Sequence, residues 1–185
     1  MTKQKNTKSK SIIQSTIKDF TNTKKSIPYY AAGYDCRAIA KYALKDYNGA
    51  IDDFDKAITL SPGHANLYFD RGGCKYCLGN YYSAIKDYDK ALEINPKLQF
   101  AHSWRANAKH QQGEHKEALK DVDIEIKLYP DHKEAYYFRA LIKQQLGDIE
   151  GAIIDFNKVA PLTTEEMKAY YSLNEMRKTK KRSKR

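Results

Sequence analysis

Four of the chain's five prolines, Pro28, Pro62, Pro96 and Pro130, stand 34 residues apart. A constant period of this size calls for one supersecondary unit stacked on its own copies, rather than a single irregular core. Aligning the chain on the prolines brings almost every other position into register. Arg37, Arg71, Arg105 and Arg139 share a column, and so do Asp19, Asp53, Asp87, Asp121 and Asp155. Phe20, Phe54, Tyr88, Val122 and Phe156 form a bulky column, and Ala50, Ala84, Ala118 and Ala152 a small one. Lys41, Lys75, Lys109 and Lys143 align, as do Tyr34, Tyr68, His102 and Tyr136.

Each unit reads as two helices. Leu67, Tyr68, Arg71, Gly72 and Cys74 recur at helical spacing between Ala65 and Leu78. Tyr81, Ala84, Ile85, Tyr88, Ala91 and Leu92 do the same up to Ile94. Gly79-Asn80 separates the two, as Gly113-Glu114 and Gly147-Asp148 do further on, and glycine suits a helix C-terminus. The proline cannot continue the second helix. Connections this short make neighbouring helices antiparallel, and one such hairpin is too small to stand without its neighbours.

The run Arg71-Gly72, Leu78-Gly79-Asn80-Tyr81, Ala84-Ile85, Asp87-Tyr88, Lys90-Ala91-Leu92 and Pro96 resembles a tetratricopeptide repeat (TPR). The resemblance implies an all-α, right-handed α-solenoid of four helix hairpins with a half-repeat helix at each end. In it Gly72, replaced by Ala38, Ala106 and Ala140 in the sister units, lets the two helices approach, and Ala84 fills their crossing. The register gives repeats over 29–62, 63–96, 97–130 and 131–163. Thr16 to Phe20 aligns with Ala50 to Phe54, so residues 11–28 read as an N-terminal half-repeat helix. Ala169, Tyr170 and Leu173 fall in the columns of Leu67, Tyr68 and Arg71, and Thr163 with Glu166 has capping-box spacing, so 164–177 read as a capping helix. Residues 1–10 and 178–185 read as a disordered basic segment and a basic tail. Three departures stand out: Lys45 where the turn glycine belongs, Val159 for the usual alanine, and Pro161 early enough to shorten the last second helix.

The family's first helices line a concave groove, which places a partner-binding site on their free face. Here that face carries Asp35, Ile39 and Tyr42, then Phe69, Asp70 and Tyr76, then Phe100, Trp104 and Asn107, then Glu134, Tyr137 and Phe138. Aromatics stand where a merely solvated face would hold Lys and Glu, and exposed aromatics favour contact with a partner. Some family members hold acidic chaperone C-termini through a Lys and Asn clamp. The equivalent positions here are Asp35, Ile39, Asp70, Phe100 and Trp104, which carry no such clamp, so a neutral or basic protein or peptide suits the face better.

The formal net charge of +10 lies at the ends. Residues 1–28 carry seven Lys against Asp19, residues 165–185 carry eight Lys and Arg against three Glu, and 29–164 balance to −1. Arg177, Lys178, Lys180, Lys181, Arg182, Lys184 and Arg185 form an electrostatic tail, which supports a second reading: an accessory protein touching nucleic acid or an anionic membrane surface. An unpaired helix at each end would also allow self-association. The rest argues for a non-catalytic, cytoplasmic protein without metal or cofactor. Three cysteines are too few for a disulfide scaffold, and Cys74-x-x-Cys77 has no second ligand pair for zinc. Cys74 stands in the small column of Ala40 and Ala108, which favours packing over redox chemistry. The five His form no ligand spacing, and neither a phosphate loop nor a nucleophile motif occurs. The Arg and Asp columns read as an ion-pair ladder, with each Asp 16 residues after its own Arg and 18 before the next, so spacing leaves both pairings open.

Overall fold

The computed structural model describes residues 31–159 and the single positions 14, 15, 18 and 172. Apart from those positions, the end helices expected over 11–28 and 164–177, and both basic ends, lie outside the described residues. Eight α-helices and no strand occur among the described residues: α1 (Ala31–Ala43), α2 (Tyr47–Leu60), α3 (Ala65–Cys77), α4 (Tyr81–Ile94), α5 (Ala101–Gln111), α6 (His115–Leu128), α7 (Lys133–Gln145) and α8 (Ile149–Phe156). The chain forms an all-α array of hairpins in two compact units, Met1–Leu98 with α1 to α4 and Gln99–Arg185 with α5 to α8.

The local signals act as the sequence suggests. Gly79, Gly113 and Gly147 close the first helices at φ of 77°, 83° and 79°. Lys45 takes the same left-handed turn at φ 65°, where a side chain is strained, so the hairpin geometry prevails over the residue's own preference. Asp46 and Asp148 cap α2 and α8 by accepting the amide N–H of Gly49 and Gly151. The last second helix is short, eight residues in α8 against 14 in α2, α4 and α6.

Each hairpin buries the small column against the bulky one. Ala38, Ala50, Phe54, Ala57, Leu67 and Cys74 form one cluster in the first unit. In the second, Ala106, Ala118, Val122, Ala135 and Ile142 form another, and Ala140, Ile149, Ala152, Ile153 and Phe156 a third. A β-carbon on Gly72 would meet the Tyr88 ring at 2.8 Å, so the smallest residue stands opposite the one tyrosine of its column.

The Arg and Asp columns pair within each hairpin. The Nε of Arg37, Arg71, Arg105 and Arg139 donates to Asp53, Asp87, Asp121 and Asp155 at 2.7–2.9 Å, and a second guanidinium nitrogen completes the fork on each. The aligned lysines Lys41, Lys75, Lys109 and Lys143 add an ion pair to the same carboxylates at 2.7–2.8 Å. Burial raises an aspartate's pKa, yet Arg37 and Lys41 outweigh it and hold Asp53 below the ordinary value. Neighbouring repeats are tied by a different aspartate column: Arg71 also reaches Asp55 at 2.6 Å, and Arg139 reaches Asp123 at 2.8 Å. In three hairpins the arginine lies over the column's tyrosine, Arg37 on Tyr34, Arg71 on Tyr68 and Arg139 on Tyr136, at 5.4–5.6 Å.

Candidate partner-binding faces

Within each unit the first helices of successive hairpins touch, α1 with α3 and α5 with α7. Their outward residues therefore share one face per unit. In the first unit Ile39 and Tyr42 are 50% and 40% exposed, one turn apart on α1. Asp35 lies a turn before Ile39 and is half-buried, as are Phe69, Asp70 and Tyr76 on α3. Phe69 packs on Tyr88, Tyr76 on Tyr81, and Tyr42 on Tyr47, with ring centroids 5.2–5.7 Å apart. These rings are thus anchored on their own hairpins and present an edge or part of a face outward. The Tyr42 hydroxyl lies 3.6 Å from the Cys77 sulfur, and burial together with that contact pushes its ionisation upward.

In the second unit Trp104 and Phe138 pack on each other across α5 and α7 at 5.7 Å, and Tyr137 packs on Phe156 at 5.9 Å. Asn107 is buried, and Phe100 and Glu134 are exposed. The column of Tyr42–Tyr47 and Tyr76–Tyr81 continues as His110–His115, whose Nδ1 atoms lie 3.0 Å apart. Burial and the neighbouring imidazole lower the His110 pKa. Arg177 to Arg185, the basic tail, lies outside the described residues.

One constellation escaped sequence reasoning. Glu125 is fully buried in the column that holds Ala57 and Ala91. Its Oε1 accepts the Phe100 amide N–H at 2.8 Å and lies 3.1 Å from His132 Nδ1. Phe100 takes a left-handed φ of 71° and stacks edge-on against His132 at 4.4 Å. His132 Nε2 lies 3.4 Å from Glu134, beside an open pocket of about 510 Å³ lined by Phe100, Tyr129, Pro130 and their neighbours. The available signal was a glutamate in an otherwise small column.

No group of three or more metal-ligating side chains comes together among the described residues. All three cysteines described are free, with Cys36 and Cys77 exposed and Cys74 buried. Burial, then the neighbouring Cys77, pushes the Cys74 thiol up to about 12, away from the reactive thiolate. Iodoacetamide at about pH 7.5, below the ordinary thiol pKa, is therefore expected to label Cys36 and Cys77 in the folded protein and Cys74 only on unfolding, read by mass spectrometry. Fast labelling of Cys74 would restore the case for a redox dithiol. No described helix is long and apolar enough to cross a membrane.

Comparison with known proteins places this architecture. The fold is shared with MamA, at a TM-score of 0.74 and 18% identity over 90% of this chain and 95% of that one. It is also shared with TTC0263, a thermophilic TPR protein of Thermus thermophilus, at 0.70 and 18% over 85% and 88%. The first TPR of Spaghetti (RPAP3), solved with the HSP90 peptide SRMEEVD, matches at 0.62 and 25% over 63% of this chain and 93% of that one. Curated protein sequences give no match. Tetratricopeptide repeat profiles match residues 31–64, 65–98 and 105–165, which cover the described helices almost end to end. With the 34-residue register and the paired helices, these matches make the chain a member of the tetratricopeptide repeat family.

Proposed function

We propose that the chain is a non-catalytic interaction module that holds a peptide or helix of a partner protein against the first helices of its hairpins. The observation that carries this reading is the α1/α3 face. Ile39 and Tyr42 stand open to solvent there, flanked by the anchored rings of Phe69 and Tyr76. Apolar side chains held in place by packing lose little freedom when a ligand covers them, which favours affinity. In the second unit Phe100, Trp104, Glu134, Tyr137 and Phe138 offer a like mixture of rings and acid, while Asn107 is buried.

The HSP90 peptide held by the Spaghetti domain ends in Glu-Glu-Val-Asp. The face of the first unit offers Asp35 and Asp70 and that of the second Glu134, so a neutral or basic segment suits each better than an acidic one. The basic ends support a second reading, contact with nucleic acid or an anionic membrane surface, and ionic strength separates the two.

The full chain and an Ile39→Ser/Tyr42→Ser variant are compared in capture from nuclease-treated host lysate at about 0.1 and about 0.5 M salt, a range over which exposed charge contacts are screened. Loss of roughly tenfold or more of the captured partner in the variant, with helicity and melting point kept, is the expected result. Capture that ignores these substitutions but collapses at high salt would hand the function to the basic ends.

A further inference from the structure

The aspartates of the first unit fall into two chemical kinds. Asp53 and Asp87 are buried, and each receives an arginine fork and a lysine from its own hairpin. Asp35 on α1 and Asp70 on α3 are half-buried and receive no hydrogen bond or ion pair from any described residue. Asp35 Oδ1 is sealed from solvent, with no donor among the described residues to meet it. The two helices touch, and each carboxylate is close enough to His64, exposed at the N-cap of α3, to feel its charge. Among the described residues, no other group of opposite sign acts on either carboxylate.

Desolvated like charges without a counter-charge oppose folding, and the described residues that neutralise Asp53 and Asp87 leave these two uncompensated. Beside them the surface is open. Gly73, one turn beyond Asp70, has nothing within 4 Å of where a β-carbon would stand, in the column that holds Ile39 on α1. The missing side chain lets another backbone come close, next to Ile39 and Tyr42.

We propose that Asp35 and Asp70 form the seat for an arginine of the bound peptide, whose adjoining residues lie over Gly73 against Ile39 and Tyr42. The inference rests on the reading that this face holds a peptide, and it names the chemistry of the ligand. A guanidinium fits because its planar fork of donors can serve two carboxylates at once and it is more weakly hydrated than an ammonium. A metal ion fits less well, since no third ligating side chain joins the pair among the described residues.

Titration gives the seat a signature. Burial, then the charge of Asp35, raises the Asp70 pKa to about 6, with His64 opposing. A carboxyl raised in the folded state stabilises the fold when protonated, so the wild type loses stability as pH climbs from about 4 through 6. Arginine binding runs the other way and strengthens over the same window as Asp70 ionises.

The test uses the full chain and fluorescein-labelled peptide pools built from uncharged residues, identical except for a central Arg, Gln or Glu. Anisotropy titration at about pH 7 is expected to show the Arg pool binding roughly tenfold or more tightly than the Gln pool, and the Glu pool weakest. Asp35→Asn/Asp70→Asn abolishes that preference and its rise between about pH 5 and 7, while its melting point at neutral pH equals or exceeds that of the wild type. A merely structural pair would lower the melting point instead. Arg and Gln pools that bind alike, through Ile39 and Tyr42, would overturn the arginine seat and leave the peptide face standing. Binding of no pool would overturn the peptide face and the seat with it. Aspartate-dependent self-association, competed by a peptide of residues 177–185, would give the seat to a second copy of this chain and overturn the assignment to a partner protein.

Discussion

Replacing Arg71 by alanine is expected to lower the unfolding free energy by about 3 kcal/mol. The substitution removes the forked bond to Asp87 at 2.6 and 2.9 Å, the tie to Asp55 across to the preceding hairpin, and the stack on Tyr68. The larger part of the loss is the charge left behind. Asp87 is 4% exposed, and a carboxylate stripped of its partner in such a place is strongly unfavourable. Lys75, 2.7 Å from Asp87, remains and keeps the loss from being larger. Arg71→Lys should not restore stability, since an ammonium cannot span Asp87 and Asp55 together. In the Arg71→Ala background, Asp87→Ala should cost much less than it does alone. Urea titrations of the four proteins give this coupling directly. An unchanged midpoint for Arg71→Ala would remove the ladder from the account of stability.

Tyr88→Ala is expected to cost about 4 kcal/mol, the loss that follows when a large ring leaves a packed interior. Tyr88 is fully buried, lies against Gly72 and meets the Phe69 ring at 5.7 Å. Its vacancy would open where Gly72 offers no side chain to collapse into it. Tyr88→Phe should do the opposite and raise stability by about 1 kcal/mol. The hydroxyl is sealed from solvent without a hydrogen-bond partner, and burial drives its ionisation far upward. The sister positions Phe54 and Phe156 carry the same ring without the oxygen. Calorimetry on both variants decides the matter, and a lower melting point for Tyr88→Phe would mean that the hydroxyl is satisfied after all.

These two residues sit where the buried carboxylates of the ladder meet arginine and lysine and where Gly72 faces the Tyr88 ring. The α1/α3 face differs in both respects. Among the described residues its carboxylates have no Lys or Arg to pair with, and its glycine at 73 faces open space. Stability and binding should therefore separate under mutation: Arg71 and Tyr88 govern the first, while Asp35, Asp70, Ile39 and Tyr42 govern the second.

The 34-residue period, the two helices per unit and the small-against-large columns followed from the sequence alone. Helical spacing and turn chemistry are local properties, and repetition averages away accidents at any single position. Contacts between helices were a different matter. Spacings of 16 and 18 residues were equally compatible with the Arg and Asp columns, and only the hairpin crossing selected the first. It also brought the lysine column to the same carboxylates and gave Asp55 and Asp123 the ties between repeats. On the candidate faces the sequence identified which residues share a helix side, but not how deeply each is set. Phe69, Tyr137 and Tyr42 lean on their own hairpins, Asn107 is buried, and Ile39 and Tyr42 are the most exposed of the set in the first unit. Glu125 and His132, seven residues apart, became a pair only when the turn after α6 folded one onto the other. Periodicity reports the direction in which a side chain leaves its own helix. What it meets there is fixed by the approach of the neighbouring helix, which no single stretch of sequence encodes.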